Sequence, residues 1–189
     1  DGSDAAMCGN GTRACAHYAF KQGLAPKKMS FMTQAGVIIS TVEKEVVESQ
    51  MTDPVCKSEP FEEEGKIWYL YDTGVPHLVT YVDDLRGFDV ELARKMRYKY
   101  NANVNFAKLG SSLHVRTYER GVEDETLACG TGMVACFYAA FKEGKLPQSV
   151  RVYPASGEEL QVRFHEGKLY FKGEVRHVFD AVTKEINDA

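Results

Sequence analysis

No apolar run in the 189 residues approaches the length that spans a bilayer, and the first residues lack the pattern of a signal peptide. No block of basic residues could track a phosphate backbone, and the formal charge is -4. Membranes and nucleic acid are therefore not expected partners. No CxxC or HxxxH spacing occurs, so no zinc or other metal site is expected. Cysteine is scarce and odd in number: Cys8, Cys15, Cys56, Cys129 and Cys136. That argues against a disulfide framework and for free thiols in a reducing, cytoplasmic setting. No stretch is low-complexity, and EEEG at 62–65 reads as a polar turn. What remains is ordinary globular material, 44% hydrophobic and 26% charged, enough for one large domain or two small ones.

The sequence repeats itself. Residues 7–26, MCGNGTRACAHYAFKQGLAP, align with residues 128–147, ACGTGMVACFYAAFKEGKLP. Cys8, Gly9, Gly11, Ala14, Cys15, Ala19, Phe20, Lys21, Gly23 and Pro26 fall on Cys129, Gly130, Gly132, Ala135, Cys136, Ala140, Phe141, Lys142, Gly144 and Pro147. Each copy predicts a Cys-Gly-x-Gly turn opening an apolar helix, a left-handed glycine cap at Gly23 or Gly144, and a proline beyond. A strand, a turn at Gly36 or Gly157 and a second strand follow in each. Between the copies, strands are predicted at Ile67–Asp72, His77–Val82, Val104–Leu109 and Leu113–Tyr118. A helix from about Val90 to Tyr100 interrupts them, with Asp89 as its N-cap. The fold class is α+β: two pseudo-symmetric halves, each a curled, mostly antiparallel, barrel-like sheet around a central helix.

A cysteine just before a helix N-terminus faces unpaired N–H groups and the positive end of the helix dipole, which favours the thiolate. The neighbouring glycines let backbone amides close on an anion. Two related copies in one chain would bring both turns together at the junction of the halves. A carboxylate held there would have a thiol on each side of its α-carbon: one takes the α-proton and the other returns a proton to the opposite face. Two helix N-termini would compensate the charge of the enediolate without a cofactor. The plain alternative is that Cys8 and Cys129 pack tight turns. Cys15 and Cys136, two helical turns further on, read as buried thiols, and Cys56 has no counterpart.

The stretches DGSDAAMCGNGTRACA and YERGVEDETLACGTG resemble the two signature segments of the diaminopimelate epimerase family, with TGVPHLV, NVNFAKL and GEVRHVF following in order. The resemblance covers Asp1 to about Val182 and implies epimerisation of LL- to meso-2,6-diaminopimelate, for lysine and peptidoglycan, with no pyridoxal phosphate, no metal and no other cofactor. It further implies a homodimer. By position, Cys8 and Cys129 match the acid/base thiols. His77 and Glu119 match residues that help set their protonation. Gly9, Asn10, Gly130 and Thr131 match the carboxylate cradle, Arg120 the ligand of the distal carboxylate, and Asn103 a residue fixing the non-reacting centre. Each also has a structural reading: Arg120 as a solvated turn charge, Glu119 as a partner for a nearby base, Asn103 as the end of a helix, His77 as a satisfied strand residue.

Two departures stand out. Val75 occupies the place where the family has Asn before Pro-His. Only seven residues precede Cys8, whereas roughly 60 lead from Ile67 to Cys129, and the family carries a glycine-rich Asn-Asp-Phe segment further upstream. The expectation is an incomplete first half, residues 1–53 with 175–189 returning to it through a strand near His177–Val182, beside a second half of residues 54–174. The 189-residue chain alone is then expected to be inactive, and the upstream segment to restore activity. Alternative functions are a proline- or hydroxyproline-type racemase, which needs no Arg120 anchor, and a non-catalytic binding module of the same fold.

Overall fold

The computed structural model describes residues 6–182. Three helices, α1 (Gly9–Lys21), α2 (Val90–Tyr100) and α3 (Gly130–Lys142), stand among thirteen strands in the described residues. The strands are β1 (Lys28–Thr33), β2 (Gly36–Glu43), β3 (Val46–Gln50), β4 (Val55–Cys56), β5 (Phe61–Glu63), β6 (Lys66–Asp72), β7 (Pro76–Tyr81), β8 (Asn103–Lys108), β9 (Leu113–Glu119), β10 (Asp124–Thr126), β11 (Ser149–Tyr153), β12 (Leu160–His165) and β13 (Lys168–Glu174). One curled mixed sheet runs β1-β2-β3-β13-β12-β11-β9-β8-β7-β6-β4, with β5 and β10 as short additions. Its pairs are antiparallel except β7 with β8 and β9 with β11. The class is α+β. None of the helices is long and apolar enough to cross a membrane.

The repeat in the sequence is a repeat in space. Helix α1 and the antiparallel meander β1-β2-β3 correspond to helix α3 and the meander β11-β12-β13. Both helices end alike, Gly23 and Gly144 taking φ of 68° and 70°, where a side chain would strain the backbone. The two meanders join edge to edge, because β3 pairs antiparallel with its own counterpart β13 from Val46↔Glu174 to Gln50↔Tyr170. An antiparallel pair of equivalent strands is what a two-fold relation between the halves requires.

The helices are buried to different depths. The sheet curls around α3, which buries ten of its residues, Phe137 and Met133 completely. Each such side chain contributes about 1.5–3 kcal/mol. Helix α1 buries only Gly9, Thr12, Arg13 and Ala16, against β2 and β3. Helix α2 lies on the opposite face of β7, β8 and β9, capped by the Asp89 carboxylate, which accepts from the Leu92 N–H at 2.9 Å.

Three details differ from the sequence reading. Glu62 and Glu63 belong to β5, and the turn is confined to Glu64 and Gly65, since strand pairing to Ile67 and Lys66 holds the two earlier residues extended. Cys15 is exposed among the described residues, on the side of α1 away from β2 and β3; Cys136 is buried as expected. No strand forms at 177–182: Val175 donates to the Glu45 carbonyl at 2.7 Å, and pairing of the last strand with β3 is complete at Glu174. Residues 183–189 of the expected return lie outside the described residues.

Candidate active site

Alternation along three adjacent strands builds a polar layer under the start of α3. On β7, His77, Val79 and Tyr81 share one face; on β8, Asn103, Asn105 and Ala107 do; on β9, Leu113, Val115, Thr117 and Glu119 do. Their neighbours Leu78, Val104, Phe106 and Tyr118 form a separate core with Ala93 and Met96 of α2. The α3 face is apolar toward the helix C-terminus and polar at its N-terminus, where Cys129 is the N-cap residue.

The polar layer is bonded throughout. His77 Nε2 lies 2.9 Å from Thr131 Oγ1, and Thr131 Oγ1 lies 3.6 Å from Cys129 Sγ. On the other side of the ring, His77 Nδ1 lies 3.1 Å from Asn105 Nδ2. Thr73 Oγ1 donates to the Thr131 carbonyl at 3.0 Å, which fixes the first turn of α3 against the end of β6. His77 is fully buried. Burial, aided by the charge of Arg120, pushes it down to about 3, so the ring is neutral at physiological pH.

Cys129 departs from the sequence expectation. The thiol is pushed up to about 12, by burial first and then by the Glu119 carboxylate beside it. The Thr131 hydroxyl and Gly132 amide favour the anion but are outweighed. Desolvation in a closed site therefore defeats the helix N-terminus, and Cys129 is a thiol at neutral pH. Cys8, the N-cap of α1, is exposed, and the Gly11 N–H donates to its sulfur at 3.3 Å.

The two helix starts touch. A Cβ on Gly9 would lie 3.2 Å from the Gly130 Cα, and one on Gly130 would lie 3.1 Å from the Gly9 Cα and 3.0 Å from the Phe171 ring. A side chain at either position would push the two helix starts apart by a few tenths of an ångström. Asn10 bridges the same junction, its Nδ2 reaching the Ala128 carbonyl at 3.5 Å while Oδ1 accepts from Arg13 Nη2 at 2.9 Å. Arg13 is buried over the Phe171 ring, with Glu158 3.9 Å away.

The junction is thus made by Gly9 against Gly130 and by Asn10 against Ala128, with Cys8 and Cys129 each one residue before its glycine and with Thr131 and Glu119 beside the second thiol and His77 bonded to Thr131. Asn103 and Arg120 sit at the rim, where Asn103 Oδ1 accepts from the Arg120 N–H at 2.8 Å and the Arg120 guanidinium donates to the Asn101 carbonyl at 3.0 Å. Helix α2 ends at Asn101, in left-handed conformation, rather than at Asn103. Sequence reasoning missed Asn105, Thr117, Thr73, Arg13 and Phe171. The spacing of Asn105 two residues after Asn103 was the available signal, since both must share a strand face.

Two consequences are measurable. Iodoacetamide near neutral pH should label Cys8, Cys15 and Cys56 and spare Cys129 and Cys136, because the last two are buried and held as thiols. Peptide mass mapping reads this, and rapid labelling of Cys129 would contradict the burial described. The neutral His77 also sets an acid limb. Below pH 6.5 the unfolded chain takes a proton that the folded site refuses until about pH 3, so stability falls with pH across that window. Between pH 7 and 5 the loss is about 2 kcal/mol, and His77→Gln should flatten that slope in urea titrations.

A curled mixed sheet carrying two related helix starts defines an α+β fold that solved structures share. A probable proline racemase from Agrobacterium radiobacter superposes with a TM-score of 0.75 at 13% identity, over 97% of this chain and 69% of that one. The particular family follows from sequence comparison. The diaminopimelate epimerase model matches residues 69–178. A diaminopimelate epimerase of Nitratiruptor sp. is 57% identical over 188 residues, 98% of this chain and 75% of the relative. One from Campylobacter jejuni is 52% identical over 183 residues, 96% of this chain and 74% of the relative. The chain belongs to the diaminopimelate epimerase family.

Proposed function

We propose that the site inverts one α-carbon of LL-2,6-diaminopimelate to give the meso form, without a cofactor, by exchange between two thiols. The observation that carries this is the contact of Gly9 with Gly130, which sets Cys8 and Cys129 at the mouths of two adjoining helix N-termini. The α-carboxylate rests on the backbone around Gly9, Asn10, Gly130 and Thr131, where the N-terminal amides of both helices offset charge on the enediolate. In one direction the Cys8 sulfur, acting as thiolate, takes the α-proton and becomes a thiol, while Cys129, protonated in the free site, delivers its own proton to the opposite face and is left as thiolate. Microscopic reversibility exchanges the roles in the other direction. Glu119 keeps the Cys129 proton in place, and Arg120, braced by Asn103, receives the distal carboxylate as a bidentate partner. The reading includes a cytoplasmic setting, supported by five free cysteines, and a homodimer, which sedimentation would test. It also includes two half-domains, residues 1–53 with 175–189 and residues 54–174, supported by the pairing of β3 with β13 across their junction.

The fold alone would also suit a proline racemase. Turnover of LL-diaminopimelate and of L-proline should be compared in the 189-residue chain and in a version carrying the upstream segment that the resemblance implies. The reading expects diaminopimelate to be preferred by at least about 10³ in kcat/KM, since proline offers nothing to Arg120. Equal turnover of proline would overturn it.

A further inference from the structure

We infer that Asn105 is a positioning residue for the Cys129 thiol: it locks His77 as the Nε2–H tautomer, which leaves the Thr131 hydroxyl to donate its own proton toward the Cys129 sulfur. The inference rests on the two-thiol reading above for its catalytic consequence, while the proton arrangement stands on geometry alone.

Asn105 lies on β8, fully buried, with both ends of its amide engaged. Its Nδ2 donates to the Leu78 carbonyl at 3.0 Å, and a backbone carbonyl only accepts, so the amide has one possible orientation. Its Oδ1 accepts from Thr117 Oγ1 at 2.9 Å, in keeping with that orientation. The second Nδ2 proton then points at His77 Nδ1, 3.1 Å away, and Nδ1 has to present its lone pair. A proton on Nδ1 would set donor against donor in a buried site, which excludes both the other tautomer and the imidazolium.

The remaining ring proton is on Nε2 and points at Thr131 Oγ1 at 2.9 Å. Having accepted that bond, the hydroxyl keeps its own hydrogen free, and the Cys129 sulfur lies 3.6 Å away. The thiol is protonated in the resting site, so this donor matters most once Cys129 has given its proton away. The thiolate left behind then finds an O–H already aimed at it, with no reorientation needed. The network is closed from the helix side as well: a Cβ on Gly132 would lie 3.2 Å from His77 Cε1 and only 2.3 Å from Asn105 Oδ1. The first half has no such device among its described residues. There the Cys8 sulfur accepts from the Gly11 N–H, and the residue matching Thr131 is Asn10, whose amide is spent on Ala128 and Arg13.

The test is long-range proton–nitrogen NMR on protein with labelled histidine. Wild type should show a protonated Nε2 and an unprotonated Nδ1 at His77, unchanged from pH 5 to 8. Asn105→Asp should move the proton to Nδ1 or protonate both nitrogens, because a carboxylate there accepts. In the active protein, Asn105→Asp should lower kcat about tenfold or more with KM changed less than about threefold. Thr131→Val should lower kcat similarly, and the double variant no further than the worse single one. Should Asn105→Asp fail to fold, the wild-type tautomer and Thr131→Val still decide. An Nδ1–H tautomer in wild type overturns the inference, as does a normal kcat in Thr131→Val. A correct tautomer in a protein that never inverts diaminopimelate would instead overturn the proposed function.

Discussion

Cys8→Ala and Cys129→Ala should each lower the rate of inversion in the active protein by about 10³-fold or more. Each variant loses one of two opposed proton carriers, and general acid–base catalysis by a positioned side chain contributes about 10²–10⁴-fold. The two losses should differ in kind. Without Cys129 the exposed Cys8 still reaches one face of the substrate and can exchange the α-proton there with retention. Without Cys8 the remaining thiol is buried beside Glu119 and held protonated, so exchange should also be slow. Cys15→Ala supplies the control: it lies on α1 two helical turns beyond Cys8, away from the Gly9–Gly130 junction, and should leave turnover within about twofold. Near-normal inversion in either thiol variant would end the two-thiol account, and a large loss in Cys15→Ala would relocate the chemistry.

The second large effect is structural. Gly11 and Gly132 are equivalent positions of the repeat, each three residues after its cysteine. A methyl group at Gly11 would meet only Cys8, at 3.4 and 3.5 Å, which is ordinary contact. At Gly132 it would meet Asn105 Oδ1 at 2.3 Å, in a layer where Asn105, His77 and Thr117 are all buried and bonded. Gly11→Ala should therefore be neutral or stabilising by up to about 1 kcal/mol, the helix propensity gain. Gly132→Ala gains the same propensity but loses about 1–3 kcal/mol to overpacking and a similar amount to each buried polar group left unpaired. The net expectation is a loss of about 2–4 kcal/mol in urea unfolding, with disturbance of the His77 ring signals. Equal stability of the two variants would mean that the polar layer is less rigid than described.

Much of this was legible in the residues. The repeat of Cys-Gly-x-Gly announced two helix starts, and the structure places both at one junction, with α2 and the strands around it within one or two residues of their predicted bounds. What local pattern could not supply was the difference in environment between equivalent positions. Cys8 and Cys129 look alike in sequence, yet among the described residues one is exposed while the other is buried beside Glu119, a difference set by tertiary packing. Cys15 and Cys136 divide in the same way among the described residues, Cys136 enclosed by the sheet around α3 and Cys15 on the face of α1 turned away from β2 and β3. Asn105 was half legible: Asn103 and Asn105 alternate with Val104 and Phe106 and so share a strand face, but β8 is buried on both faces and nothing local says that this amide meets His77 rather than solvent. The close approach of Gly9 to Gly130 likewise belongs to the fold, since neither glycine alone reveals what it makes room for.

The central claim is that two thiols serve opposite faces of one α-carbon, and the stereochemistry of hydrogen exchange tests it most directly. LL-diaminopimelate should be turned over in deuterium oxide to low conversion, and the α-positions of recovered substrate and of product compared by NMR and mass spectrometry. If one thiol removes the α-proton and the other delivers a solvent-derived one, every meso product molecule carries a single deuterium at the inverted centre while recovered substrate stays protiated. A product that keeps its original α-hydrogen, or deuterium entering substrate and product equally, would show a single base serving both faces and would contradict the account.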